Sequence, residues 1–569
     1  MLKYISVIVL LCASYVSSCA QPQIKAYQGN WEGELPHAQS FSFRITVEDL
    51  SSNSYQIKIA NHRLLVNKRL ESTADDHIHI NLDAHTRLNL YVQEDRQALS
   101  GFLTSGILMY HLVLDRTGDN TYAGSWNPLM VDQLHAQSIF LSVETYEDGS
   151  FATYPFWGDQ RFTGTWCGGF SQEGELVFFR DLKTGMRFQA KLLEDNIQLD
   201  IFLADAHIAR SNLTRSESDW EFGTMPSDQA QQIDPPSQLN DGWPTRSIHD
   251  FELKEAPLAR LMDSIDAGKL PNTHSVLIAK KGNLIFEAYF DGYHPHIPHD
   301  QRSASKSVSS AMIGIAIDEG IIQSIDQRLY DFIPQEYQYT KDSLKSEIRL
   351  KDLLTMSSGL DVNGMASEGT YQETNHWLKT VLEAPMIEPA GTRADYGSAN
   401  PFLLGVCLDQ GLEQAVEMFM DQHLLTPLGI NNYIIQTENT GTSPYFGGGM
   451  YLTPRDMLKF GQLYLNGGKW KGQQIISQSW VAASFKQYGR LQDVKDKNEY
   501  GYQWWHKTYE LADKEIESIE ARGAGGQYIF VIPVLESVVV ITSGNYRNRQ
   551  FLQQPETILE DYILPALTK

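Results

Sequence analysis

Arg302-Ser303-Ala304-Ser305-Lys306-Ser307-Val308-Ser309-Ser310-Ala311-Met312-Ile313-Gly314-Ile315-Ala316 is the stretch whose reading decides the fold. Val308, Ala311, Met312 and Ile315 recur at helical spacing and Gly320 supplies a stop, so a largely buried helix is predicted to begin near Ser303. Residues three apart share a helix face, so Ser303 and Lys306 point the same way. The serine falls in the first turn, where backbone N–H groups lack intrahelical acceptors and the helix dipole favours a developing anion. A neighbouring amine can take the hydroxyl proton when burial lowers its pKa. Taken alone, the spacing reads as a capping serine followed by a solvated lysine, so its neighbours elsewhere in the chain decide.

Three further stretches accompany it. Ile348-Arg349-Leu350-Lys351-Asp352-Leu353-Leu354-Thr355-Met356-Ser357-Ser358-Gly359 reads as a helix ended by a glycine cap. Pro389-Ala390-Gly391-Thr392-Arg393-Ala394-Asp395-Tyr396-Gly397-Ser398 puts Tyr396 and Ser398 on a loop ahead of an apolar helix. Ala521-Arg522-Gly523-Ala524-Gly525-Gly526-Gln527 opens a strand whose glycines let a ligand approach the backbone. In this order, together with Gly447-Gly448-Gly449-Met450 and Tyr500-Gly501-Tyr502-Gln503-Trp504-Trp505, the chain from about Pro244 to Leu567 resembles the serine β-lactamase and D-alanyl-D-alanine peptidase superfamily. It is most similar to the class C-like branch of esterases and amide hydrolases.

The resemblance implies roles at matching positions. Ser303 would be the acylated nucleophile, Lys306 the amine that activates it, and Tyr396 the proton shuttle to the leaving group, with its phenol pKa lowered by Lys306. Ser398 stands where asparagine is usual, and this Tyr-x-Ser form is similar to that of the 6-aminohexanoate-dimer hydrolases. The backbone N–H groups of Ser303 and Ala524 would form the oxyanion hole, with Gly523 as the motif glycine or, in another register, Gly525. Two residues before Gly523, where lactamases and peptidases carry Lys or His, this chain has Ala521. Arg522 is the candidate for the missing substrate-binding charge, although neighbours on a strand face opposite sides. Loss of that cation turns the expectation toward an ester or amide substrate cleaved through an acyl-enzyme without a cofactor. The alternatives are a penicillin-binding peptidase or class C-like lactamase, and a non-catalytic binder with a decayed site.

Residues 23–214 alternate apolar and polar in short runs such as Ser42-Phe43-Arg44-Ile45-Thr46-Val47, which predicts an all-β, barrel-like domain. Gly-x-Trp recurs at Gly29, Gly124 and Gly164; its first copy resembles the opening strand of lipocalin-like barrels, and core packing explains the tryptophans without a ligand. Any ligand of this domain is unreadable from the sequence. Residues 215–247, rich in Asp, Gln, Pro and Ser, read as a linker or surface strap. Residues 248–569 form the second domain, with strands at both ends flanking a helical middle and a hairpin at Lys281-Gly282-Asn283; the whole chain is α+β.

The chain has 569 residues and a formal net charge of −24. No basic stripe offsets that charge, which speaks against nucleic acid and against adhesion to an anionic membrane. Met1 to Ala20 reads as an export signal, and Val16-Ser17-Ser18-Cys19 resembles a lipobox in which Cys19 is acylated. The expected location is the bacterial periplasm or a membrane reached only through that lipid. Cys167 and Cys407 lie in different predicted domains and read as plain thiols. The His294-Pro295-His296-Ile297-Pro298-His299-Asp300 run lacks a second ligand cluster, so no metal is expected.

Overall fold

The computed structural model describes residues 25–568 apart from 36–40, 52, 75–76, 94–96, 132–133, 135, 146–150, 158–166, 205, 218–232, 234, 495–497, 512–513 and 547–552. The export segment with Cys19 and the Gly-x-Trp unit at Gly164 lie outside the described residues. The chain divides into two compact units, the first ending at Met225 and the second beginning at Pro226, inside the predicted linker.

The first unit is all-β. Its strands are β1 (Gly29–Glu34), β2 (Phe43–Asp49), β3 (Ser54–Ala60), β4 (Leu64–Glu71), β5 (Ile78–Asn81), β6 (Thr86–Gln93), β7 (Ala98–Ser105) and β8 (Leu108–Arg116). There follow β9 (Thr121–Trp126), β10 (Ser138–Thr145), β11 (Phe151–Trp157), β12 (Cys167–Glu173), β13 (Leu176–Asp181), β14 (Arg187–Leu193), β15 (Asn196–Leu203) and β16 (Ala206–Arg215). The period-two pattern is realised: Phe43, Ile45 and Val47 are buried while Arg44 and Glu48 face out. The all-β, barrel-like expectation holds, and among the described residues the strands form two antiparallel sheets. One runs β4-β3-β2-β9-β8-β7-β6-β5, and the other, eight-stranded and nearly closed, runs β11-β10-β1-β16-β15-β14-β13-β12. The tryptophans are core: Trp31 donates from its indole to the Tyr27 carbonyl at 2.7 Å under the Arg215 guanidinium, and Trp126 packs on Phe43 and Tyr110. A groove of about 600 Å³ is lined by Phe178, Arg180, Arg187 and Phe202.

The second unit is built on an antiparallel sheet of β17 (Thr273–Lys280), β18 (Asn283–Tyr289), β19 (Trp505–Leu511), β20 (Lys514–Gly523), β21 (Gln527–Ile532) and β22 (Ser537–Ser543). Their order is β18-β17-β22-β21-β20-β19, so the first hairpin pairs with the last strand, as the sequence predicts. Lys281 and Gly282, both at positive φ, make its two-residue turn. The helices that frame the site are α1 (Glu255–Asp266), α2 (Lys306–Asp318), α3 (Leu350–Leu354), α4 (Glu368–Gln372), α5 (Ala399–Gly411) and α6 (Pro454–Leu465).

The sheet is covered on both faces, which explains the unbroken apolar run of β22. Val539 and Ile541 join Leu258, Leu261 and Met262 of α1 and Ile563 and Leu564 near the C-terminus. Val538 faces α6, where a Cβ on Gly461 would lie 2.5 Å from its side chain. Each such buried aliphatic side chain contributes about 1.5 to 3 kcal/mol. Arg455 of α6 holds the end of the predicted linker: it donates to the Ser237 carbonyl at 2.8 Å and pairs with Asp241 at 2.9 Å, while buried Trp243 donates to its carbonyl. Residues 237–243 are therefore an anchored strap of the second unit.

Two local expectations change. The helix at Ser303 proper starts at Lys306, preceded by a 3-10 turn over Arg302–Ser305. Helix α3 ends at Leu354, so Gly359 is no helix cap; glycine is needed there because its φ is +79° and because a Cβ would lie 2.1 Å from the Glu388 carbonyl oxygen.

Candidate active site

Helix α2 is buried all round from Lys306 to Ala316, a core helix with one ammonium at its first residue. Lys306 is 1% exposed, whereas Ser303, one turn earlier, is partly open to solvent. The Lys306 amine donates to Ser303 Oγ at 2.8 Å and to Ser398 Oγ at 3.0 Å, and it also contacts the Gly447 carbonyl. Burial lowers its pKa to about 8, against an upward pull from Glu368. About a tenth of the amine is then uncharged at pH 7, enough to serve as a base.

Arg302, just before Ser303, has a φ of +49°, a left-handed conformation that costs a non-glycine residue about 1 kcal/mol or more. Asp300 holds it there, accepting from its backbone N–H at 3.0 Å and forming an ion pair with its guanidinium at 3.0 Å. His299 of the histidine run turns inward to His274, at 2.8 Å between ring nitrogens. Among the described residues no group of side chains is arranged to hold a metal ion.

Tyr396 and Ser398 arrive on the loop that leads into α5. The loop is fixed by the Tyr396 N–H donating to Asp493 at 2.9 Å and by Gly397, where a Cβ would lie 2.5 Å from Val362. The Tyr396 phenol interacts with the Ser303 hydroxyl, its ring centroid is 5.4 Å from the Lys306 amine, and Trp505 packs on it at 5.1 Å. The expected lowering of its pKa is overturned. Burial pushes the phenol well above its ordinary value, with Glu368 and Asp493 adding to the shift and only the Ser303 hydrogen bond and Arg522 opposing it. Tyr396 is therefore a neutral acid at physiological pH.

β20 ends against the 3-10 turn. A Cβ on Gly523 would lie 2.1 Å from the Gln301 carbonyl oxygen and 3.2 Å from the Ala304 nitrogen, so only glycine permits this approach. A Cβ on Gly525 would instead strike the Tyr546 ring. Gly523 is thus the glycine that brings the strand to the turn at Ser303, and exposed Ala524 follows it. Arg522 is not a free cation: it pairs with Glu520 at 2.6 Å and Glu556 at 3.4 Å and stacks over Trp505 at 5.0 Å. Its partner Glu520 lies two residues away on the same strand face, a signal the sequence contained.

One residue at the site carried no sequence signal. Glu368 opens the short helix α4 and accepts from Ser398 Oγ at 3.0 Å and from the Tyr445 phenol at 2.7 Å. Among the described residues no helix is long and apolar enough to cross a membrane.

Residues 260–562 match the family model for Beta-lactamase. A 6-aminohexanoate-dimer hydrolase from Paenarthrobacter ureafaciens is 24% identical over 342 residues, covering 53% of this chain and 83% of that protein. Among solved structures, a family VIII carboxylesterase matches with a TM-score of 0.44 at 14% identity, covering 54% of this chain and 96% of its own. A penicillin-binding protein homologue from Caulobacter crescentus matches with a TM-score of 0.42 at 13% identity, covering 51% and 91%.

Proposed function

Since the chain belongs to the Beta-lactamase family of hydrolases acting on amides or esters, we propose that it cleaves such a bond through an acyl-enzyme on Ser303. The observation that carries the reading is the buried Lys306 amine donating at 2.8 Å to the Oγ of Ser303, a residue only partly buried. In the free-base form Lys306 takes the Ser303 proton as Oγ bonds to the substrate carbonyl carbon, and the carbonyl electron pair moves onto oxygen. The N–H groups of Ser303 and Ala524 stabilise that oxyanion. Neutral Tyr396 protonates the departing amine or alcohol and recovers a proton from the Lys306 ammonium. Water then enters the vacated side, loses a proton to the same base pair and releases the acid from Ser303.

With Ala521 at the usual cation position and Arg522 paired with two glutamates, a substrate need not carry an acid group beside the scissile bond. That favours esters and simple amides over β-lactams. Export and acylation at Cys19 belong to the same proposal and are supported by Val16-Ser17-Ser18-Cys19 behind an apolar run. The test is intact-mass detection of an adduct after exposure to a fluorophosphonate probe or p-nitrophenyl acetate. The adduct should form on the wild type and vanish in Ser303→Ala; turnover that survives the substitution rejects the reading. Rapid hydrolysis of a chromogenic cephalosporin would move the assignment to a lactamase.

A further inference from the structure

We infer that Glu368 is a positioning residue for Lys306, aiming the amine at Ser303 through the hydroxyl of Ser398. The inference rests on the Ser303 reading and adds to it a carboxylate from outside the motifs.

The arrangement is a continuous chain of directed hydrogen bonds. Lys306 donates to Ser303 and to Ser398, at 2.8 and 3.0 Å. Having accepted from Lys306, Ser398 has its own proton to give, and it gives it to Glu368 Oε2 at 3.0 Å. Glu368 Oε1 is held in turn by the Tyr445 phenol at 2.7 Å and by Gln372 at 3.3 Å, and the Tyr371 hydroxyl contacts that of Tyr445. Tyr371 and Tyr445 are almost fully buried, so the carboxylate cannot swing away without leaving polar atoms unmatched.

The loop after Tyr445 ties the same parts together from the other side. A Cβ on Gly447 would lie 2.2 Å from the Tyr445 phenol oxygen, so the bare backbone at Gly447 is what lets Tyr445 reach Glu368. The carbonyl of that same residue contacts the Lys306 amine. One segment therefore anchors the carboxylate and fixes a second direction of the ammonium.

The charges around the pair are few. Lys306 faces Ser303, Ser398, Tyr396 and, through Ser398, Glu368; among the described residues it forms no direct ion pair. Arg302 also feels Glu368, though Asp300 dominates its surroundings, while Asp493 and Arg522 act on Tyr396. Burial disfavours the Lys306 ammonium, and the Glu368 charge partly restores it. When Lys306 takes the Ser303 proton, the new ammonium keeps its bonds to Ser398 and Gly447. Glu368 remains a carboxylate and takes no proton itself.

The test is the pH dependence of the acylation burst with p-nitrophenyl acetate in the full chain, comparing wild type, Glu368→Gln, Glu368→Asp and Ser398→Ala. The wild-type burst rate should rise with a midpoint near the Lys306 value of about 8. In Glu368→Gln the midpoint should fall by about one pH unit, and the plateau should drop about tenfold as the amine loses its aim. Glu368→Asp should restore the midpoint and part of the plateau. Ser398→Ala, which cuts the bridge and leaves the carboxylate, should lower the plateau about tenfold with a smaller midpoint shift. A plateau loss in Glu368→Gln with an unmoved midpoint would mean a structural role only and would overturn the inference. Wild-type behaviour in Ser398→Ala would overturn it independently, even if Glu368→Gln does not fold. Absence of any acyl adduct on the wild type would instead strike the Ser303 reading.

Discussion

Arg522 and Glu520 form an ion pair of 2.6 Å in which the carboxylate is fully buried and the guanidinium is 12% exposed. The charge that sequence comparison would assign to substrate binding is thereby consumed inside the protein. Removing one partner of a buried pair strands the other and costs about 3 to 5 kcal/mol. Arg522→Ala should accordingly lower the melting temperature by several degrees while changing KM little for neutral esters. A normal melting temperature with a raised KM confined to acid-bearing substrates would return Arg522 to the binding site.

On the proposed acyl-enzyme route Lys306 sets the pH response. That route uses its base form, and burial lowers its pKa to about 8, so acylation should climb between about pH 7 and 9. Lys306→Ala should lose roughly 100-fold or more in burst rate and flatten the climb. A wild-type profile already flat across that window would assign the base elsewhere.

Tyr396 stays protonated because burial raises its pKa. Tyr396→Phe should lose about 100-fold with an amide, whose leaving group needs a proton, and much less with p-nitrophenyl acetate, whose leaving group does not. Equal losses on both substrates would mean the phenol acts before leaving-group departure.

Gly523 keeps the end of β20 against the 3-10 turn that carries Ser303. Gly523→Ala should reduce kcat by about 100-fold or more, because a Cβ 2.1 Å from the Gln301 carbonyl oxygen must push apart the two segments that, on the proposed route, supply the oxyanion donors. Circular dichroism should show the fold retained. Undiminished kcat would relocate the oxyanion hole.

His274 and His299 are buried and uncharged, with pKa values lowered by burial, His299 to about 4. The unfolded chain binds protons near pH 6.5 that the folded chain refuses until lower pH, so stability is full above that value and falls as pH drops toward 4. Melting temperature should decline by several degrees between pH 7 and 5, and His274→Asn should reduce the slope. A melting temperature independent of pH over this range would place the imidazoles in contact with water.

What the sequence disclosed and what it hid divide along physical lines. Local periodicity made the helix after Ser303 legible and put Ser303 and Lys306 within one turn of each other, but it took the other stretches of the resemblance to single the pair out. Tyr396, Ser398 and Gly523 were legible only through family resemblance, since their approach to Ser303 spans almost a hundred residues or more. Glu368 was invisible: its partners come from Ser398 and Tyr445, on segments no local pattern connects to it. The direction of the Tyr396 shift was misread because charge at Lys306 was counted and burial was not. In the β-unit, alternation announced strands but not their partition between two sheets, which depends on pairing between distant segments.

The placement of β1 between β10 and β16 has a consequence for how the polypeptide emerges from the ribosome. The earliest-made strand must idle, its edge groups unmet, until more than a hundred later residues have been translated, because Gly29 pairs with Val143 and Trp31 with Arg215. A circular permutant that moves residues 25–35 behind residue 216 would turn this late, long-range closure into a neighbourly hairpin, and its β-unit should mature faster than the natural one.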